Sequence, residues 1–127
     1  MRAPLFNVAL LLGAALLSGP AAGEPNERPT VEVRFSRQVR DRQPVDPGTE
    51  FPPGKLYCWT RLESRESHYL IAHHWMKNGR RVWRQPIQVQ GKHWVTWSHF
   101  NVTPGSWTVR VTDESGAQLE SASFTVK

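Results

Sequence analysis

The sequence predicts an all-β fold: a single immunoglobulin-like antiparallel β-sandwich of about seven short strands, preceded by a signal peptide. Three observations carry this. Apolar and polar residues alternate with a period of two, as in Val31-Glu32-Val33-Arg34-Phe35. Turn-forming residues separate such runs, Asn78-Gly79 most clearly. No stretch after the first 23 residues carries a convincing helical pattern.

Residues 1–23 read as a secretory signal, with Arg2 as the positive start, an apolar run from Val8 to Leu17, and the small-residue exit Pro20-Ala21-Ala22-Gly23. The apolar run is too short to span a bilayer, which takes roughly 20 residues. Cleavage is expected near Gly23 and Glu24, which makes the mature protein periplasmic or secreted and leaves it no transmembrane segment. No cysteine follows the apolar run, so lipid attachment there is unsupported. Residues 24–30 hold two prolines and several charges and are expected to form a flexible lead-in. Residues 31–127 then form one domain of about 100 residues, enough for one modest core.

Within that domain the first strand is Val31 to Phe35. Residues 37–53, rich in Arg, Asp, Pro and Gly, are expected to be mostly loop. Further strands are predicted over 55–62, 69–77, 80–89, 93–98, 106–112 and 118–126. Cys58 is the only cysteine, so no internal disulfide forms, and its apolar setting reads as a small buried hydrophobe. The fold must therefore be held by packing.

Six tryptophans are the natural packing material, and five of them lie between positions 75 and 107. Strand parity sorts them. Trp107, Val109 and Val111 share one face, as do Ala122, Phe124 and Val126, and both sets are assigned to the core. Tyr57 and Trp59 share a face of a strand that is apolar on both sides, the mark of a central strand. Trp94 and Trp97 are three apart and point to opposite faces, so one is expected inside and one outside unless a bulge intervenes. Asn78-Gly79 sets a hairpin register in which Lys77 faces Arg80, Met76 faces Arg81, Trp75 faces Val82, His74 faces Trp83 and His73 faces Arg84. Ile71, His73, Trp75, Val82 and Arg84 then share the core face, and Ala72, His74, Met76, Arg81 and Trp83 the outer one. The expected binding patch is His74, Met76, Arg81 and Trp83, an exposed indole beside a cation and an imidazole, suited to stack on a sugar ring or grip an apolar peptide.

Several motifs, taken in order, resemble the bacterial family called domain of unknown function 2914. They are Asp41-Arg42-Gln43-Pro44-Val45-Asp46, Leu56-Tyr57-Cys58-Trp59-Thr60, His73-His74-Trp75 with Asn78-Gly79, Trp94-Val95-Thr96-Trp97-Ser98, and Gly105-Ser106-Trp107-Thr108-Val109 with Asp113-Glu114-Ser115-Gly116. The resemblance implies a single extracytoplasmic β-sandwich domain from a Gram-negative source, and no activity. The family's usual pattern places an arginine where this chain has His74 and another where it has Val95.

Catalytic chemistry finds little footing. Ser98, His73, His99 and Asp113 are the available hydrolase pieces, but no nucleophile-elbow glycines surround a serine. Glu63 and Glu66 sit near a strand end with no opposed acid. Of the five histidines, His73 and His74 diverge from one strand, and no His-x-x-x-His pair exists, so neither a metal nor another cofactor is expected. The formal charge of +5, one unit of it from Arg2, is spread along the chain rather than gathered, which disfavours nucleic acid. The expected role is a noncatalytic binding module for an envelope polysaccharide or a partner protein. A purely structural envelope domain is the alternative. Oligomeric state stays open.

Overall fold

The computed structural model describes residues 28–127, so the expected signal peptide and most of the lead-in lie outside the described residues. Ten strands follow in order: β1 (Thr30–Ser36), β2 (Gln38–Arg40), β3 (Gln43–Val45), β4 (Glu50–Phe51), β5 (Gly54–Glu63), β6 (Tyr69–Lys77), β7 (Arg80–Val89), β8 (His93–Val102), β9 (Gly105–Asp113) and β10 (Gln118–Val126). Every strand expected from the sequence is present. β8 runs four residues further than the sequence suggests, and three short strands occupy the segment expected to be mostly loop. Among the described residues no helix is long and apolar enough to cross a membrane.

A three-stranded sheet, ordered β1-β5-β8, faces a five-stranded sheet ordered β4-β10-β9-β6-β7 in an open sandwich. All pairings in these sheets are antiparallel except that of β10 with the two-residue β4. β5 is the central strand of its sheet, as its two apolar faces imply. Between the sheets, Phe35, Leu56 and Cys58 meet Trp75, Trp107, Val109 and Phe124. The Trp107 and Phe124 rings stack with centroids 5.8 Å apart, and Phe35 lies 4.5 Å from Phe124. Each such side chain, once fully buried, contributes about 1.5–3 kcal/mol of apolar transfer free energy. A second cluster, Leu62, Ile71, Val89 and Val111, fills the other end of the sandwich, with Trp94 half-buried against it.

The Asn78-Gly79 turn forms as its sequence demands, with φ of 51° and 84°. Asn78 also ties the turn to β9, its Oδ1 accepting from the Ser106 N–H at 3.0 Å. The hairpin register beyond the turn corrects the one read from sequence. Lys77 pairs with Arg80 and Met76 with Arg81, but a β-bulge then leaves Val82 without a partner, so Trp75 pairs with Trp83, His74 with Arg84 and His73 with Gln85. Val82 and Arg84, expected on the core face, are exposed.

The physical reason lies in the phase of the apolar residues. An uninterrupted strand that turned Val82 inward would also turn Arg84 inward and put Ile87 and Val89 in water. Inserting one residue at Val82 leaves the Arg84 cation solvated and sends Ile87 and Val89 to the core, avoiding a buried unpaired charge. β10 uses the same device at Leu119, which joins the second cluster across a register shift.

β2 and β3 form a small hairpin whose tip, Asp41-Arg42, has φ of 52° and 62°. Its role is tertiary. Trp59, on the outer side of β5, is only 2 % exposed, and its indole N–H donates to the Arg42 carbonyl at 2.9 Å. The residues around position 40 thus roof Trp59.

Candidate functional site

The bulge divides the patch expected from sequence. His74, Met76 and Arg81 do lie on the outer face of the five-stranded sheet. Trp83 does not: it pairs with the fully buried Trp75 and belongs to the inner side of β7 with Gln85 and Ile87. It is nevertheless 45 % exposed, because β7 is the edge strand and projects past the core.

On the outer face, Arg84, His74, Arg110 and Ser121 stand in register across four strands. Arg81 lies within 3.4 Å of His74 Nδ1. Since a guanidinium only donates, Nδ1 is the acceptor and Nε2 carries the hydrogen, which it donates to Thr112 Oγ1 at 2.9 Å. Burial, then the nearby Arg81, Arg110 and Arg84 charges, hold the His74 pKa below its ordinary value. Among the described residues none of these three arginines is within ion-pairing distance of a carboxylate. On the other sheet, Arg42 donates to the Val95 carbonyl at 3.0 Å and lies 5.9 Å from the Trp94 ring.

Trp83 instead forms one wall of a groove of about 830 Å³ between the edge of β7 and the edge of β8. Gln85 and Ile87 continue that wall, and Trp97, Ser98, His99, Phe100 and Asn101 supply the other. Trp97 is 36 % exposed, while Trp94 turns inward, so the two indoles three residues apart divide as parity requires. The connection of only Gln90-Gly91-Lys92 holds the two strands together at one end.

Beneath the groove lies a buried serine–histidine pair. Ser98 Oγ is 2.7 Å from His73 Nδ1, and His73 Nε2 is 2.9 Å from Thr60 Oγ1. The Trp75 indole donates to Ser98 Oγ at 3.0 Å, and Thr60 Oγ1 lies 4.0 Å from Cys58 Sγ. One donor order gives each hydroxyl hydrogen an acceptor: Trp75 to Ser98, Ser98 to His73 Nδ1, His73 Nε2–H to Thr60, Thr60 to the sulfur. This chain pins the two sheets together across β8, β6 and β5. Sequence parity placed His73 inward but could not name these hydroxyl partners, which come from strands distant in the chain.

The pair is ill suited to catalysis. Burial, and secondarily His74, drives the His73 pKa down to about 3, so the ring is a very weak base. Its second nitrogen meets a threonine where a catalytic arrangement would place a carboxylate. Asp113 is occupied elsewhere. Burial raises its pKa, but hydrogen bonds from the Ser115 side chain and from the Ala117 and Ser115 backbone N–H groups outweigh this and hold it low, while fixing the β9–β10 turn. His99 packs its ring on Tyr57 on the outer face of the three-stranded sheet. Glu63 is exposed near His93, and Glu66 lies in the turn before β6. Among the described residues no three His, Cys, Asp or Glu side chains converge as a metal site would need.

Cys58 is fully buried, and burial pushes its thiol up to about 12, partly offset by Thr60. The native protein is therefore expected to be inert to a thiol-specific disulfide reagent at pH 8 and to react with one equivalent in denaturant. Rapid labelling of the native fold would show that β5 opens readily.

Fold and site together define a small all-β sandwich domain with an aromatic groove at one sheet edge and a basic outer face. Residues 68–126, just under half the chain, match the family model described as "Protein of unknown function (DUF2914)", which bears out the resemblance over that stretch. A search of curated proteins returned no match.

Proposed function

We propose that this chain is a noncatalytic recognition module of the bacterial periplasm or the extracellular space, and that its ligand site is the groove between β7 and β8. The observation that carries the reading is the pair of half-exposed indoles, Trp83 and Trp97, flanking one open groove beside amide groups of Gln85 and Asn101. Large aromatic side chains left in water cost the domain apolar burial, and they are the side chains that contribute most at binding sites. The buried Ser98–His73 pair, with its poor base, supports recognition over turnover. The secretory pattern of residues 1–23 supports the compartment.

The test is capture from envelope extracts with the wild-type domain, Trp83→Ala and Trp97→Ala, each checked for native circular dichroism. Reproducible enrichment of one component, lowered roughly 30-fold by Trp83→Ala as for a typical hot-spot side chain, is the expected result. Equal enrichment by all three would remove the groove from the reading, and empty capture by a folded domain would favour a structural role. N-terminal sequencing of the protein from the periplasm or medium should begin near Glu24. A chain that starts at Met1 or stays in the cytoplasm would refute the assigned compartment.

A further inference from the structure

A sheet edge leaves N–H and C=O groups unpaired, and stable domains blunt such edges with charge, proline or brevity. Three of the four edges of the facing sheets are blunted in these ways. β1 carries Glu32 and Arg34, β4 is two residues long, and β7 carries Arg80, Arg81, Arg84 and Pro86. β8 is the fourth edge and differs from all of them. It is ten residues long, pairs among the described residues only with β5, and contains no Lys, Arg, Asp, Glu or Pro from His93 to Val102. Its Trp, Val, Thr and Phe residues favour strand pairing.

An antiparallel strand turns the N–H and C=O of alternate residues to alternate sides, so every second residue of β8 offers a donor and an acceptor along the groove. Arg42 takes the Val95 carbonyl. Among the described residues, no backbone group outside β5 pairs with the stretch from Thr96 to Asn101.

Resting on the reading of the groove as the recognition site, we propose that the free edge of β8 receives a single extended segment of a partner protein, which adds as a fourth strand to β1-β5-β8 and lays its inward side chains on Trp83 and Ile87. Main-chain hydrogen bonds would supply affinity, and the two walls of the groove the pattern. Side chains facing Trp83 and Ile87 should be apolar, and those facing His99 and Asn101 polar. Lys55 is the only Lys, Arg, Asp or Glu among the residues that line the groove, so the segment should be neutral or acidic. A second copy of this chain fits less well. Its β8 comes with its own β7, joined through three residues, and that strand would enter the same gap. A glycan could stack on the indoles but would not match the regular row of backbone groups.

The test is selection from a phage-displayed random octapeptide library on the mature protein, followed by amide hydrogen exchange with the winning peptide. Expected winners alternate apolar and polar residues, lack Lys and Arg, and protect alternate amides of β8. N-methylation of the peptide at alternate positions should abolish that protection. Trp97→Lys, a surface substitution that charges the edge, should lose the peptide roughly 30-fold. Winners without alternation, or protection confined to other strands, would overturn strand addition. So would quenching of tryptophan fluorescence by peptidoglycan fragments with no peptide selected, although that outcome leaves the recognition reading standing. Concentration-dependent self-association lost in Trp97→Lys would assign the edge to a second copy instead.

Discussion

Acidification from pH 6.5 to pH 3 is expected to cost this domain up to roughly 5 kcal/mol through His73 alone, since each tenfold change in proton affinity is worth about 1.4 kcal/mol. The ring titrates near its ordinary value of 6.5 in the unfolded chain and at about 3 in the fold, where burial disfavours the imidazolium. Between those values the unfolded state binds the extra proton, so stability is full above pH 6.5, falls as pH drops, and levels off below about 3. His74, also held low, adds a smaller loss of the same sign, reduced by its contact with solvent. Glu32 and Asp113 are held low as well, but they come into play only below the ordinary carboxylate range. The interval from pH 6.5 to 4.5 therefore belongs to the histidines. Because typical domains have only about 5–15 kcal/mol of stability, the loss should show as a steep fall in the denaturant midpoint. In His73→Gln, which keeps a donor and an acceptor but cannot titrate, the midpoint should be lower at neutral pH and fall across that interval only by the smaller His74 contribution. A wild-type midpoint that stays level from pH 6.5 to 4.5 would show that the ring is protonated without penalty.

Replacement of Trp75 by alanine should be the most damaging core substitution, at about 3–5 kcal/mol for a fully buried aromatic side chain. Trp75 is 0 % exposed, with ring centroids 5.8 Å from Phe100 and 6.2 Å from Phe124. Its indole N–H is also the first donor of the chain through Ser98, His73 and Thr60. Trp75→Phe separates the two contributions, since it keeps most of the packing and deletes the donor, for an expected loss nearer 1–2 kcal/mol on the order of one buried hydrogen bond. Equilibrium unfolding in urea measures both. A loss below about 1 kcal/mol for the alanine variant would mean that the cavity collapses and the cluster is not the centre of the fold.

Much of this architecture was legible one strand at a time. Alternation located the seven longer strands, Asn78-Gly79 located its turn, and parity put Trp75 and Trp107 inside because a period of two leaves each side chain one of two faces. The small hairpin of β2 and β3 was hidden for the opposite reason. Three-residue strands carry almost no periodic signal, and this hairpin is anchored by Trp59, which approaches it from another strand. Of His74, Met76, Arg81 and Trp83, the bulge leaves the first three on the outer face and turns Trp83 to the inner one. The sequence did hold a sign of that shift, because Val82 is out of phase with Ile87 and Val89, and a single strand cannot bury all three without an extra residue.

By itself, then, the chain determined its class, its strands and the identity of most core residues, since these follow from local alternation between groups that avoid water and groups that need it. Tertiary structure decided which strands became edges, where the bulge at Val82 fell, and hence that Trp83 joined Trp97 along β8 while Arg84 joined His74 and Arg110 on the far face. Those outcomes depend on how two sheets of unequal width overlap and on the cost of burying a guanidinium, and both are settled only when distant strands meet.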